Sequence, residues 1–583
     1  MSANFEKKIL AQVSGKKAWK HVEFLSNIDK TSGTEGEVKA HEYIRQQLSE
    51  FNVPFNAYEF SSLISHPLDA SLRVLSENKN IECRPAAFGA KTSGIEGELM
   101  FVELPSDTLF GGVEEVLRLY KKAGVKGKIP IVWGLAAPTV MWAAQEAGAL
   151  AQIHISGEEA IHEMIVTTIW GTPTPESAER LPKIPALSIR RSDGEYLLKI
   201  IRNGSVKVKL TSNVDTKWRK IPITVANIEA KASPDKFMLV HGHMDSWYYG
   251  TTDNCTGNAA CLELSRVFSK NRSGMKRSLR VAWWSGHSTG RYSGSTWYAD
   301  YHYDELSKNC FASLNIDSPG VKGASEVSGG GLMGTTKLIT NVIKDSTGIE
   351  KFAIGVRYSR AGDQSFYGIG IPSVGASGHL PKGSPDAGVW TGGGGGGWWW
   401  HNPADTVDKG DKSNLERDIR MEALAITRLI NPPIIPFDIT EAMENFDKAF
   451  TDLSNKAPKS REVLKKTRDK ISKIKTLSET LMKNSTLKRV KKSNLLKFNE
   501  SIIKMTHILT SIQYTYSGYY DQDPAYNMGQ IPQLRPMLQL ENLDDDDFSF
   551  GFWSTRLIRN VNYLNDKLEE LHVTMENALK MFV

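Results

Sequence analysis

The sequence predicts an α/β fold, a largely parallel sheet covered by helices, with an inserted domain and a helical C-terminal domain. Three observations predict it. From 216 to about 435, apolar runs of strand length at 237–240, 279–284, 311–316 and 371–376 alternate with helical stretches such as 258–268. That alternation argues for parallel strands joined by helical crossovers. The prolines of 431–436 end the pattern, and beyond them apolar residues recur at helical spacing. Finally, 583 residues are too many for one hydrophobic core, so the chain divides into several domains.

The elements follow in order. Thr34 and Glu37 read as a capping box ahead of Ala40, Tyr43, Ile44 and Leu48, and this helix leads into a strand at 53–60. From 65 to 215 the texture changes to short strands and turns, as at 127–133 and 147–155, which marks an insert between 1–64 and the main domain at 216–436. The remainder, 437–583, is helical. Val463, Ile471, Ile474, Leu477 and Leu481 share one face there. Leu557, Val561, Leu564, Leu568, Leu571 and Met575 form a seam that packs either inside its own domain or against a second subunit. The acidic run 544–547 reads as a solvated cap of that last helix, and Lys488, Arg489, Lys491 and Lys492 as a solvated turn.

Composition excludes several classes of function. A net charge of +6 is small for this length and does not point to nucleic acid. No apolar run approaches a membrane span, and the first residues lack the apolar core of a signal peptide, so a soluble, cytoplasmic protein is expected. The four cysteines, Cys83, Cys255, Cys261 and Cys310, form no close pair, which indicates neither a disulfide framework nor a thiolate metal site.

The chemistry concentrates where the strand at 237–240 ends. His241, His243, Asp245 and Asp253 fall within thirteen residues, at the sheet edge where α/β folds hold their sites. Zinc bound by nitrogen and oxygen needs imidazoles and carboxylates from several strand ends. His243 is the first candidate, with Asp245 suited to orient its ring. Asp253 is placed to bridge two ions, Asp317 ends the next strand, and His401 has Asp405 as its possible orienter.

The order His-x-Asp, Asp-Asn-x-x-Gly, Asn-x-Asp and His-x-x-x-Asp-Thr resembles the zinc aminopeptidase and glutamate carboxypeptidase family, in the branch that includes glutamate carboxypeptidase II and the transferrin receptor. The resemblance extends over nearly the whole chain and is most specific at 237–320 and 401–409. It implies a zinc-peptidase fold whose peptidase-like domain is formed by 1–64 and 216–436, with 65–215 as a protease-associated (apical) insert and 437–583 as a dimerisation domain. It also implies a two-zinc site with His243, Asp253, Asp317 and His401 as ligands, exopeptidase or related amide hydrolysis, and a homodimer.

One motif departs from the family. Where the family carries Trp-Gly-Ala-Glu-Glu-x-Gly, this chain reads Trp284-Ser285-Gly286-His287-Ser288-Thr289-Gly290. His287 replaces the glutamate that acts as base, and Ser288 replaces the glutamate that binds the second zinc. Three accounts are open. His287 acts as base or substitute ligand in a hydrolase with one or two zinc ions, manganese and cobalt being other ions this donor set accepts. Alternatively the chain is a non-catalytic binding protein, as the transferrin receptor is. In a third account Gly286-His287-Ser288-Thr289-Gly290 is a serine nucleophile elbow, with Asp317 and His401 completing a triad.

Other residues are expected to shape the pocket. Arg360 and Asp363 lie where the family places a substrate-facing loop, and Arg291 and Tyr292 follow the altered motif. The glycines of 392–397, followed by Trp398, Trp399 and Trp400, form either a lid or a packed aromatic cluster. The expected protein is therefore a zinc-dependent amide hydrolase acting on a short peptide or an N-acylated or amidated small molecule.

Overall fold

Strand Ser233–His243 turns wholly buried from Phe237 onward, as a central strand covered on both faces must. It pairs in parallel with Arg277–Trp284 on one side and Cys310–Asn315 on the other. The computed structural model describes residues 2–105, 112–355, 362–485, 490–526 and 528–582. Helices Gly15–Leu25, Glu35–Glu50, Thr256–Lys270 and Lys412–Ile430 supply one continuous core with this sheet. The carboxyl ends of the parallel strands thus deliver His243, the loop after Trp284 and Asp317 to one edge.

Two long strands, Phe55–Val74 and Lys207–Ile228, pair antiparallel along almost their full length, with an irregularity between Pro67 and Asp69. Near one end Lys207–Ile228 pairs with Arg277–Trp284, and near the other with Thr92–Phe101. The sheet therefore continues through Ile129–Trp133, Gln152–Ile155 and Ala186–Ile189 of the insert. The positions 64/65 and 215/216, read as boundaries, fall inside this ribbon.

Some expectations need correction. The strand read at 371–376 is Val374–His379, and it pairs with Glu326–Gly331 in a separate three-stranded sheet. Thr34 does stand at the N-cap of Glu35–Glu50, but its side chain caps nothing; Glu37 Oε2 accepts instead from the Gly33 N–H at 2.8 Å. Val463 is exposed, and Leu464 takes the buried position one residue on, followed by Ile471, Ile474 and Leu481. All six seam residues of Phe550–Leu579 are buried within this single chain, against Arg461–Asn484 and Leu495–Tyr514. The seam is the bundle's interior. Asp547 accepts from the Ser549 N–H just ahead of that helix, as an exposed cap would. No described helix is long and apolar enough to cross a membrane. Lys488 and Arg489 lie outside the described residues.

Candidate metal centre

His243 sits at the end of its strand, fully buried. Its Nδ1 bonds the backbone carbonyl of Asp245 at 2.8 Å, which leaves Nε2 to face the site. Nε2 is 2.9 Å from Asp253 Oδ1 and 3.8 Å from Asp317 Oδ2. The other oxygen of Asp253 is 3.3 Å from His401 Nε2, so Asp253 stands between the two histidines. His401 in turn bonds the backbone carbonyl of Glu163 through Nδ1 at 2.7 Å.

Neither carboxylate expected to orient a histidine does so; Asp245 reaches His243 through its backbone carbonyl alone. The Asp245 carboxylate accepts from the N–H groups of His287 (3.0 Å) and Ser288 (2.7 Å) and from the Ser32 hydroxyl (2.7 Å). Asp405 accepts from the N–H groups of Thr252 and Asp253, and from the Thr252 hydroxyl. In both cases a backbone carbonyl already occupies the imidazole Nδ1. Each carboxylate is then free to satisfy successive amide donors of a loop that would otherwise be buried unpaired. Both act on the site by fixing where those loops carry their side chains.

The electrostatics follow from this crowding. Burial opposes a charge on His243, but the facing carboxylates of Asp253 and Asp317 prevail and hold its pKa well above the ordinary histidine value. Burial likewise opposes charge on Asp253, yet His243 and His401 keep it well below the usual carboxylate range. Burial pushes Asp405 up to about 7, the neighbouring Asp253 charge adding to it.

The donor set fits a metal ion. Ligand atoms about 2.1 Å from one tetrahedral zinc stand roughly 3.4 Å apart, and the separations of 2.9, 3.3 and 3.8 Å bracket that figure. His243 Nε2 and Asp253 Oδ1 are buried and close, yet neither makes a hydrogen bond, as expected for two atoms aimed at a shared third one. His243, His287 and Asp317 also offer donor atoms within 4.8 Å of one another.

His287 lies in the loop after Trp284. Its Nδ1 bonds the buried carboxylate of Asp363 at 2.7 Å, and Asp363 accepts from the Ser295 hydroxyl with its other oxygen. Burial raises and His287 lowers the pKa of Asp363, with a net result below the carboxylate norm. Asp363 was expected to face substrate. It is instead fully buried behind His287, because a helix hydroxyl and an imidazole take both of its oxygens. The His287 ring stacks on His243 at 3.7 Å with an interplanar angle of 11° and meets Tyr292 edge-on.

Ser288 lines the same space, but among the described residues no hydrogen bond joins its hydroxyl to a histidine, and His401 turns toward Asp253. A cavity of about 230 Å³ stands over these groups. Leu135, Met164 and Ile165 of the insert, Arg291 and Tyr292, and Ala525 and Tyr526 of the helical region wall it. Arg360 lies outside the described residues. The glycine and tryptophan run is a packed wall: Trp400 stacks on His401 at 3.6 Å, Trp399 is buried and donates to Thr252 Oγ1, and the Gly394 N–H donates to Ser318 Oγ. At Gly397 a Cβ would meet the Trp399 ring at 2.4 Å, so a side chain there would displace that wall.

Sequence reasoning did not find Ser32, Glu163 or the Asp363–His287 pair. Ser32 and Glu163 come from distant parts of the chain, and Glu163 acts on His401 through a backbone carbonyl, which no residue type reveals.

The fold is shared with known proteins. Residues 224–425 match the description Peptidase family M28. "Probable glutamate carboxypeptidase VP8" of Zea mays is 23% identical over 345 residues, 49% of this chain and 48% of that protein, so the match spans about half of the relative's length. Among solved structures, an aminopeptidase from Aneurinibacillus sp. strain AM-1 superimposes with TM-score 0.55 at 20% identity, covering 73% of this chain and 96% of its own. BSAP, a zinc aminopeptidase from Bacillus subtilis, gives 0.53 at 18% identity, covering 72% and 96%. At those identities the structures speak for the fold. The segment 224–425, which carries His243, Asp253, His287, Asp317 and His401, is the part of the chain that matches peptidase family M28.

Proposed function

We propose that this chain is a metal-dependent amide hydrolase of exopeptidase type, acting on a short peptide or an N-acylated or amidated small molecule. The observation that carries the reading is the convergence of His243, Asp253 and Asp317 beside a histidine whose outer nitrogen is tied to a buried carboxylate. His243, Asp253 and Asp317 would hold one zinc ion, and Asp253 with His401 a second. Zinc bound there supplies Lewis-acid polarisation of a carbonyl and lowers the pKa of water.

His287 is the proton carrier in this reading. One of its nitrogens comes within 4.8 Å of donor atoms of His243 and Asp317, but its ring lies nearly parallel to His243, so the in-plane lone pairs of the two rings run side by side and do not converge on one ion. With Nδ1–H donated to Asp363, Nε2 is the basic nitrogen, and the Asp363 charge stabilises the imidazolium once a proton arrives. That proton comes from the attacking water, and Nε2 passes it to the amine nitrogen as the amide C–N bond breaks. The apolar walls of the cavity keep bulk water from competing.

Metal content and hydrolysis of leucine p-nitroanilide and N-acyl amino acids, measured on wild type, His243→Ala and His287→Ala, test this. The expectation is bound zinc and turnover in wild type, zinc loss in His243→Ala, and zinc retained with activity lowered about 10²- to 10⁴-fold in His287→Ala. A wild-type protein with neither zinc nor turnover overturns it. A homodimer is also proposed. Phe548, Phe552 and Ile558 stay exposed around the start of helix Phe550–Leu579, and a second copy would cover them; a monomeric mass in solution would exclude this.

A further inference from the structure

Arg291 brings a positive charge to the cavity wall, beside Met164, Ile165 and Tyr526. Its Nε is buried without a hydrogen-bond partner, and among the described residues it forms no ion pair. The guanidinium lies 4.9 Å from the Tyr292 ring centroid. The backbone holds it there: Arg291 and Tyr292 both adopt left-handed conformations, with φ of 50° and 69°. The Arg291 carbonyl accepts the Gly171 N–H at 2.7 Å, and Tyr292 packs on Trp170. Non-glycine residues held in this region store strain, and such strain gathers at ligand clamps.

A guanidinium partly desolvated against apolar walls is costly unless an anion completes it. Its planar fork matches a carboxylate, which it binds through two parallel hydrogen bonds. We infer that Arg291 anchors a carboxylate of the substrate, so that the preferred amides carry a free acid on an apolar stem. The inference rests on the reading of this cavity as the substrate site of an amide hydrolase. It identifies the class of group that the Arg291 wall of the cavity receives.

Hexanoate and hexanamide, titrated calorimetrically into the protein as purified, test it through binding alone. Wild type is expected to bind hexanoate about tenfold or more tightly than hexanamide. Arg291→Gln should lose that preference, while Arg291→Lys, which keeps the charge without the fork, should retain part of it. An unchanged thermal midpoint separates a lost site from a lost fold. Should Arg291→Gln not fold, the wild-type preference and the partial loss in Arg291→Lys still decide.

Equal affinity for acid and amide in wild type, or hexanoate binding undiminished in Arg291→Gln, overturns the inference, the latter by placing the anion on the metal. The two failures are distinct. Hexanoate held through Arg291 with no amide hydrolysed would sink the hydrolase reading and leave the carboxylate site. Hydrolysis of leucine p-nitroanilide with Arg291-independent hexanoate binding would do the reverse.

Discussion

The half of the centre built on His243 and the half built on His401 use the same device with unequal means. In each, a backbone carbonyl fixes the imidazole and a buried aspartate gathers the amides of a neighbouring loop. The His243 half has Asp253, Asp317 and the His287 ring around it, whereas among the described residues the His401 half has Asp253, with the hydroxyl of Ser288 in the lining of the same cavity. A hydroxyl is a poor substitute for a carboxylate as a zinc ligand. The difference teaches that positioning can be intact where ligation is not, and it predicts one tight ion and one weak one.

Removing the shared residue should have the largest effect. Asp253→Ala takes a donor from both halves, and elemental analysis should find neither ion, with activity lowered beyond the roughly 10⁴-fold upper range for a lost proton carrier. Zinc retained in that variant would show that the halves are independent. Next, Asp363→Asn keeps the packing behind His287 but removes the charge that stabilises its imidazolium. Turnover should fall by about 10²-fold with zinc content unchanged and KM little altered, and a raised KM alone would argue for a substrate contact instead.

The comparison sharpens with His401→Ala and Ser288→Glu. The first should release only the weak ion, and the second should tighten it; identical zinc titrations for wild type and Ser288→Glu would remove the argument. Asp245→Asn and Asp405→Asn loosen one loop each, and effects of about 10- to 100-fold on metal affinity or activity are expected from such outer partners. The Asp245 change should act mainly through His287 and the Asp405 change mainly through Asp253.

The smallest effect should be felt by both halves alike. Burial depresses His21 and His507 to about 4, so both stay neutral in the folded chain while the unfolded chain protonates them near 6.5. The unfolded state then binds more protons between those values, and stability falls as pH drops from about 6.5 to 4, by at most about 3 kcal/mol per residue. Urea midpoints at pH 7.5 and 5 measure this. His507→Gln should flatten the slope, and an unchanged slope would assign it to other groups.

The order of ligands was legible in the sequence because strand period, burial and chain order are local. An apolar run ending in His243, an Asp before helix Thr256–Lys270 and an Asp after strand Cys310–Asn315 can be read residue by residue. The terminal seam was legible as apolar, but its partner was not, since spacing describes one face and says nothing of what covers it. The orienting roles were misassigned for a related reason. One residue separates His243 from Asp245, and three separate His401 from Asp405, yet proximity in sequence did not bring ring and carboxylate together.

By itself the sequence determined which residue types stand at the ends of which strands, and so the chemistry available to the centre. Tertiary structure decided how those groups are used: Asp363 reaching His287 across 76 residues, Glu163 turning His401 through a carbonyl, and Arg291 set against apolar walls from the insert. The reason is physical. A side chain's identity is carried by the chain, but a hydrogen bond's direction and a charge's surroundings exist only once distant segments have packed and excluded water.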